Sequence, residues 1–480
     1  MTNCDLLVRG GQVVSSHGVA TADVIVENGT ISAVGKAPSD LRAERTIDAD
    51  GCLVLPGVVD VHNHPVYADD LESLTRAAAA GGITTVVPFI GAFPSWGFPK
   101  TSTHEVVDGF IEAWTGNVSC DFGIHGAFDS HDDVAEEVPK LVERGVTSFK
   151  FFMAYRKRGM MVEDQSLVSA MDTVGKAGGI AIVHAENGDG IEYLERNVWD
   201  TPSLPYDAFL ASHTSLLETE AVLRSIALAD AARCPLYVVH VAAGDAMKVV
   251  EIARRSARVP VWIETCPHYL VLTNDEVLRR GAISKIAPPL RSRSDNDALW
   301  DALESSEIQV VATDHGGFTI EMKAKGTNIL QAPYGGEGVE HVLPIVYSSG
   351  VRNGRLSLER MVQVLSENPA DIFGLPQKGR LSRGHDADIV VLDPEGTTRC
   401  MAESHVGASD YCLYEGMELK GAVRFVTRRG TVLVDEGSLT DEQHGGGYLR
   451  RLPFRARPVP TIDRVSGESP NLAVGPSPVQ

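Results

Sequence analysis

The sequence predicts an α/β protein, a (β/α)8 TIM barrel with a small β-sandwich domain formed from both chain ends. Two observations lead to this prediction. Between residues 56 and 374, short apolar runs alternate with amphipathic stretches, which is typical of parallel βα units. Near both ends, short strand-like runs are broken by Gly, Asn or Asp turns. The predicted small domain therefore combines residues 1–55 with residues 375–440, and residues 56–374 form the barrel.

Eight strand-like runs lie in the middle of the chain, and stretches with apolar residues at three- and four-residue steps separate them. Eight such units over roughly 260 residues fit one closed barrel, whose usual size is about 250 residues. The runs are GVVDVHNH, ITTVVPF, CDFGIHGAF, VTSFKFFMA, GIAIVHAEN, PLYVVHVAA, PVWIETCPHYL and IQVVATDHG. Residues 441–480 are rich in Pro, Gly and Arg, and we expect an extended C-terminal tail, either disordered or lying on a neighbouring subunit.

Composition narrows the class of protein. The chain has 480 residues, of which 43% are hydrophobic and 22% charged, as in ordinary globular proteins. No apolar run reaches the length of a membrane span, and the N-terminus lacks the pattern of a signal peptide. The seven cysteines form no CxxC pair, which indicates reduced thiols in a cytoplasmic protein. A net charge of -21 argues against nucleic acid as a partner. We expect neither a nucleic-acid nor a membrane partner.

Six polar residues stand at the ends of the predicted barrel strands. Two of them are histidines two positions apart, so on a strand both would face the same side. The C-terminal ends of barrel strands converge on one face, where active sites lie. A lone histidine at a strand end is more often a core residue, but this joint pattern rarely arises by chance. We interpret the group as one metal centre. Its members are His62, His64, Lys150, His184, His240 and Asp314.

Lys150 is the unexpected member of this group. A protonated amine has no lone pair and cannot bind a metal. Either the side chain points away and is structural, or the free amine reacts with CO2 to form a carbamate, which is a carboxylate on a long arm. We favour the carbamate, because the following residues FFMA leave little solvated surface for an ammonium group.

Several motifs resemble the cyclic amidohydrolases of the amidohydrolase superfamily, specifically the hydantoinase/dihydropyrimidinase group. They extend through most of residues 50–420. They are LPGVVDVHNH, GITTVV, GVTSFKFFMAY, VHAENGD, VVHV, CPHYL, APPLRS, ATDHGG, GGEGVE and SDYCLYEG. The resemblance implies hydrolysis of a cyclic amide or ureide by two divalent metals, opening hydantoins or dihydropyrimidines to N-carbamoyl amino acids. Zinc is expected, although Mn2+, Co2+ or Fe2+ could replace it.

The resemblance also implies a role for each site residue. One metal would take His62, His64, carbamylated Lys150 and Asp314, and the other would take Lys150, His184 and His240. Two metals would generate a nucleophile from water near neutral pH. Asp314 would be the general base, and Tyr155 would donate a hydrogen bond to the developing oxyanion. Main-chain groups of Ala287 and Tyr334 would hold the substrate, although the family more commonly has Ser and Asn there.

An aromatic loop follows the second run, with Phe89, Phe93, Trp96 and Phe98 among Gly and Pro. By resemblance this loop, with Phe152 and Met153, would border the exocyclic substituent of the substrate. It is either an apolar lid that selects the substituent, or ordinary packing or a subunit contact. Rival activities are allantoinase, cyclic imide hydrolase, dihydroorotase and a hydantoinase of L or relaxed stereochemistry. A dihydropyrimidinase-like scaffold protein is the non-enzyme alternative. The resemblance implies a homotetramer, with a homodimer as the alternative.

Overall fold

The computed structural model describes residues 3–98 and 101–454. The strands are β1 (Asn3–Ser15), β2 (Gly18–Glu27), β3 (Thr30–Gly35), β4 (Arg42–Asp48), β5 (Leu53–Pro56), β6 (Val58–Asp60), β7 (Ile83–Val86), β8 (Phe89–Ile90), β9 (Asp121–Phe122), β10 (His125–Ala127), β11 (Ser148–Phe152), β12 (Ile180–His184), β13 (Leu236–Val238), β14 (Val261–Thr265), β15 (Val310–Val311), β16 (Ile389–Arg399), β17 (Glu418–Arg428), β18 (Thr431–Asp435) and β19 (Ser438–Leu439).

The helices alternate with the central strands. They are α1 (Leu71–Ala80), α2 (Thr103–Trp114), α3 (Val134–Glu143), α4 (Asp164–Lys176), α5 (Gly188–Glu195), α6 (Asp207–Ser212), α7 (Ser215–Ala232), α8 (Gly244–Ser256), α9 (Pro267–Val271), α10 (Asp275–Arg280), α11 (Arg293–Glu304), α12 (Ile320–Lys323), α13 (Val342–Ile345), α14 (Leu358–Val362) and α15 (Asn368–Phe373). Local chemistry sets their ends. The Asp70 side chain accepts from the Ser73 amide at the start of α1.

The central strands all pair in parallel. β15-β14-β13-β12-β11-β10-β8 form one seven-stranded sheet, and β6-β7-β9 form a three-stranded sheet. The pairs β7/β8 and β9/β10 are each separated by only two residues, so the two sheets continue into each other. Every one of the eight predicted runs contains one of these strands, and the described part is a curled parallel sheet covered by helices. The prediction of alternating parallel βα units is therefore confirmed.

The curled sheet is buried on both faces, which explains why its strands are continuous apolar runs. On β12, Ala181 and Val183 belong to the hydrophobic core that the helices share. The alternate residues Ile180 and Ile182 belong to a second core, on the other face of the sheet. Polar residues can therefore face open space only where a strand ends.

Both ends of the chain contribute to one connected, nine-stranded mixed sheet. Its order is β19-β18-β17-β16-β5-β1-β2-β3, with β4 paired to β1. The two ends meet where β5 runs antiparallel to β16, for example at Val54 opposite Val391. The prediction that the first and last strand clusters pair with each other is thus confirmed.

The first part of the predicted tail packs on its own chain. Phe122 donates its amide to Gly447 O at 3.0 Å, and Leu449 donates to Phe122 O at 2.7 Å. Arg451 is buried and donates to Ser148 Oγ at 2.7 Å. Residues 445–454 are therefore bound to the parallel strands of the same subunit. The rest of the tail, 455–480, lies outside the described residues.

A buried lysine joins the two sheet systems. Lys378 Nζ donates to Asp121 Oδ2 on β9 at 2.6 Å and to Asp388 Oδ2, next to β16, at 2.9 Å. Asp386 Oδ2 is also 2.9 Å from the amine. Lys378 is only 2% exposed. Because a buried charge is costly unless paired, this cluster ties the mixed sheet to the parallel one.

All seven cysteines are buried and none is in a disulfide. Burial raises the pKa of the Cys234 thiol to about 12, so it stays protonated. No helix among the described residues is both long and apolar enough to cross a membrane.

Candidate metal centre

The closest group of candidate ligands lies where β6 and β15 end. His62 Nε2 is 2.9 Å from Asp314 Oδ1, and His64 Nε2 is 3.4 Å from the same oxygen. Possible ligand atoms of all three residues lie within 4.8 Å of one another. Asp314 has a positive φ of 48°, which is uncommon for a non-glycine residue and common at functional sites. The structure thus brings the HxH pair and the aspartate together.

The other two candidate histidines form a pair. His184, at the end of β12, places Nδ1 2.9 Å from His240 Nε2, just after β13. His240 also has a positive φ, 42°. Its ring centroid is 5.4 Å from that of His62, so the two histidine pairs are neighbours. Four imidazoles from three separate parts of the chain therefore meet at one end of the parallel strands.

Lys150 lies in the same place and is 1% exposed. Its Nζ is 4.8 Å from the Phe89 ring centroid and 5.4 Å from that of Phe152. Among the described residues it has no carboxylate within 4.0 Å. Burial lowers the pKa of this amine to about 8, although Asp314 and Glu264 oppose the shift. A sizeable fraction of the amine is therefore unprotonated near pH 8, as carbamate formation requires.

Burial also decides the charge of the histidines. It lowers the pKa of His64 to about 4 and holds those of His184 and His240 well below their usual range. Burial would lower the pKa of His62 as well, but Glu264 and Asp314 outweigh it and raise that pKa to about 9. Three of the four rings are thus neutral near pH 7 and keep a lone pair for a metal, while His62 would lose a proton on binding one.

The hydrogen bonding leaves ring nitrogens free for a metal. Buried nitrogens without a hydrogen-bond partner in the described part of the chain include His62 Nε2, His64 Nδ1 and His240 Nδ1. The short approach of His62 Nε2 to Asp314 therefore lacks hydrogen-bond geometry, and we take it as a contact between two ligand groups. Buried polar atoms are normally paired. Imidazole nitrogens with carboxylate oxygens suit zinc and related divalent metals, so these residues fit a metal centre.

Glu264 at the end of β14 is a site residue that the sequence reasoning missed. Its Oε1 lies 2.6 Å from His62 Nδ1 and accepts the His240 amide at 3.0 Å. Oε2 accepts the Tyr237 hydroxyl at 2.8 Å. Outer partners of this kind fix the orientation of metal-binding histidines. The available signal was a glutamate inside the apolar run PVWIETC, where a charge needs a reason to be buried.

One cavity connects these groups with the predicted substrate residues. Tyr155, Ala287 and Tyr334 line it together with Lys150 and His184. His64 and Asp314 also contribute to its wall. All three predicted substrate residues are therefore at the site.

Tyr155 is placed close to the candidate ligands. Its ring centroid is 4.6 Å from that of His184 and 5.4 Å from that of Tyr334. Burial, with Glu186 and Tyr334 adding to it, raises the pKa of Tyr155 well above its usual value, so the hydroxyl remains a proton donor. Its φ of 71° is left-handed. The backbone is thus held in an uncommon conformation at the cavity wall.

Only part of the aromatic loop lines the cavity. Trp96 lines the cavity, with its ring centroid 5.8 Å from that of His64. Phe93 packs edge-on against Trp96 at 4.4 Å. Phe98 instead contacts Phe110 on α2. The loop therefore supplies one wall of the cavity, and part of it is ordinary packing.

Residues 53–433 match the amidohydrolase family, and the chain belongs to that family. Within it, the resemblance to the hydantoinase/dihydropyrimidinase group is confirmed. A D-hydantoinase of Ralstonia pickettii is 37% identical over 473 residues, covering 94% of this chain and 100% of the relative. An L-hydantoinase of Paenarthrobacter aurescens is 35% identical, with 94% and 99% covered.

Solved structures of the hydantoinase/dihydropyrimidinase group superpose on this chain. A D-hydantoinase structure superposes with a TM-score of 0.87 at 37% identity, covering 94% of this chain and 99% of that one. The dihydropyrimidinase from Brevibacillus agri NCHU1002 gives a TM-score of 0.88 at 34% identity, with 94% and 99% covered. The chain therefore has the amidohydrolase fold over most of its length.

Proposed function

We propose that this protein hydrolyses a C–N bond in the ring of a cyclic amide, opening hydantoins or dihydropyrimidines to N-carbamoyl amino acids. The observation that carries the proposal is the meeting of four histidines, one aspartate and one buried lysine at one end of the parallel strands. Four of these six residues line a single cavity, namely His64, Lys150, His184 and Asp314. Named hydantoinases of both stereochemical types that match over nearly the whole chain support it.

Two divalent metals, with zinc as the first choice, would be held by the six residues of the centre. His62, His64 and Asp314 would hold one metal, and His184 and His240 the other. Lys150 would serve both as a carbamate, which forms when the free amine adds to CO2 and loses a proton. The lowered pKa of Lys150, about 8, supports this step because only the unprotonated amine reacts.

When bound, the metals would polarise the ring carbonyl and generate a nucleophile from water near neutral pH. Asp314 would accept the proton of the attacking water and deliver it to the leaving ring nitrogen. Burial would raise the pKa of Asp314, but His62 and His64 hold it well below its usual range, so it is an ionised acceptor. Tyr155 would donate to the oxygen on which negative charge develops. Main-chain groups of Ala287 and Tyr334 would hold the ring.

The finer architecture is part of the same proposal. The parallel strands would close into a full (β/α)8 barrel over residues 56–374. The parallel bridge between Asn63 and His315 supports closure, because it joins the first and last runs. Residues 1–55 and 375–440 would form a β-sandwich. The bulge in β1 near Gly10 supports this, since β4 pairs with β1 before it and β5 after it. Residues 441–480 would be the tail.

The assembly and the location are proposed from the resemblance alone. The protein would form a homotetramer, with a homodimer as the alternative, and would act in the cytoplasm on small molecules.

A substrate panel with metal analysis tests the activity. Purified protein is loaded with zinc and offered aryl and alkyl hydantoins of both hands, dihydrouracil, allantoin and succinimide. We expect N-carbamoyl products from the hydantoins or dihydrouracil, and about two metals per chain. His184→Asn should lower both turnover and metal content. The control is His104→Gln. His104 does not line the cavity, and its Nδ1 lies 2.8 Å from Glu137 Oε1.

The outcomes separate the rivals. Preferred turnover of allantoin or succinimide would move the activity to allantoinase or cyclic imide hydrolase. A properly folded protein that binds no metal and opens no ring would support the scaffold alternative.

A further inference from the structure

Two basic side chains contact the Tyr334 ring at the wall of the cavity, and a third packs beside them. We call Arg158, Lys285 and Lys323 the cationic cluster. The guanidinium carbon of Arg158 is 4.6 Å from the Tyr334 ring centroid, and Lys285 Nζ is 3.9 Å from it. Lys323 Nζ donates to the Lys285 carbonyl at 3.0 Å. The cluster adjoins the substrate position proposed above, yet neither the proposed metal centre nor its proton transfers require it.

The cationic cluster has no carboxylate partner. Among residues 3–98 and 101–454, no acidic side chain lies within 4.0 Å of any of its three cations. The adjacent basic residues differ in this respect. Arg156 contacts Glu163 at 2.6 Å, and Lys157 contacts Glu195 at 3.1 Å. Arg158 is therefore the unpaired cation of a turn whose other two cations are neutralised.

The two lysines are fully enclosed. Lys285 and Lys323 are 0% and 1% exposed and are held by main-chain carbonyls, such as Leu330 O at 2.8 Å from Lys285 Nζ. Burial, and then the charge of Arg158, lowers the pKa of Lys323 to about 7 and that of Lys285 well below its usual value. Glu195 acts on Lys285 only from a distance greater than an ion pair, and an anion bound next to the cluster would relieve the mutual repulsion of its members.

The position of Arg158 connects this charge to the substrate. Arg158 lines the cavity that Lys150, His184 and Asp314 also line. Its guanidinium carbon is 5.6 Å from the Tyr155 ring centroid, and that ring is next to His184. Arg158 is thus one aromatic ring away from the candidate ligands. A ring amide held at the metal centre would leave its substituent within reach of the guanidinium group.

We propose that the preferred substrate carries a carboxylate on its exocyclic substituent and that Arg158 binds this carboxylate. The inference rests on the proposed cyclic-amide hydrolysis and names its substrate class. A planar guanidinium can form two parallel hydrogen bonds to a carboxylate. The apolar walls formed by Trp96 and Phe152 would contact the carbon arm, and the anionic end would lie beside Arg158.

Two substrates of nearly equal shape test the inference, namely 5-(2-carboxyethyl)hydantoin and its amide 5-(2-carbamoylethyl)hydantoin. We expect kcat/KM for the acid to exceed that for the amide by about tenfold or more, because charge-assisted pairs are the stronger polar contacts. Arg158→Gln should remove most of this ratio, and Arg158→Lys should retain part of it. Arg156→Gln is the matched control, since Arg156 is on the same turn but does not line the cavity.

Calorimetric binding of both compounds is measured in parallel. Equal kcat/KM for acid and amide, or a ratio that persists in Arg158→Gln, would overturn the inference. If neither ring opens but the acid binds more tightly in an Arg158-dependent way, the hydrolase proposal fails and the carboxylate site stands. If the protein neither opens the ring nor binds the acid, both the hydrolase proposal and the carboxylate site are overturned.

Discussion

At the scale of single residues, the candidate metal centre is built from side chains that lie where the parallel strands end. Polar side chains can face the cavity only where an inward-facing apolar run stops, and this is why the six candidate ligands could be proposed from the sequence. Glu264 and Arg158 were not predictable in the same way. The role of Glu264 follows from the His62 ring that lies 2.6 Å away after folding. Arg158 differs from Arg156 only in what surrounds it, and local sequence does not encode that.

Lys150 leads to a prediction about CO2 and pH. Metal-free protein given zinc in CO2-free buffer should regain much less activity than protein given zinc and bicarbonate. Because the amine must be unprotonated, recovery at a fixed concentration of dissolved CO2 should become faster as pH rises through about 8. Activity and bound zinc are measured over time. Lys150→Arg, which cannot form the carbamate, should stay inactive in both buffers. Full recovery without CO2 would exclude the carbamate.

Tyr155 leads to a prediction about the transition state. Tyr155→Phe should lower kcat by about 10²–10³-fold, since removing one oxyanion donor typically costs about 2.7–4 kcal/mol. KM should change little, because the interaction strengthens only as charge develops. Steady-state kinetics on a hydantoin measure both. Tyr193→Phe is the control, since Tyr193 is 60% exposed. An unchanged kcat in Tyr155→Phe would remove this role.

At the scale of elements, the eight apolar runs and the terminal strands were predictable from their periodicity. The packing of residues 445–454 was not, because this segment has little apolar periodicity. It is held by main-chain hydrogen bonds such as Leu449 N to Phe122 O. Hydrogen bonds of this kind depend on backbone position and leave no pattern of residue types.

Gly446 tests the terminal segment. A Cβ there would lie 2.0 Å from Cys120 O, which is main chain and cannot rotate away. Gly446→Ala should therefore lower the free energy of unfolding by about 1–3 kcal/mol, the usual cost of overpacking. Urea unfolding measures it.

The control for this prediction is Gly109→Ala on α2, where a Cβ meets no atom within 4 Å. That variant should be neutral or stabilised by about 0.5–1 kcal/mol, because alanine favours a helix interior more than glycine. Equal stability of the two variants would show that the terminal segment adapts.

At the scale of the whole molecule, the sequence indicated that both chain ends build a separate β unit. It did not indicate how that unit attaches to the parallel sheet. The attachment uses Lys378 and three aspartates that are up to 267 positions apart in the chain, Asp121 and Asp388 being the most distant. Ordinary sequence patterns do not reveal a contact between residues so far apart.

Lys378→Met tests this attachment. It should lower the free energy of unfolding by about 3–5 kcal/mol, because removing one partner leaves buried carboxylates uncompensated. Lys176→Met is the comparison, since Lys176 pairs with Asp172 at an exposed position and such pairs contribute about 0–1 kcal/mol. Urea denaturation of both variants measures the difference. A similar small loss in each would mean that the Lys378 cluster contributes little.

The seven enclosed thiols make the protein suitable for site-specific conjugation. None of the native sulfurs is accessible to a maleimide or an iodoacetamide in the folded state, so no cysteine needs to be removed beforehand. A single cysteine introduced at Leu216, which is 76% exposed on α7, would be the one reactive handle on the native fold. A dye or a solid support could then be attached at one defined point.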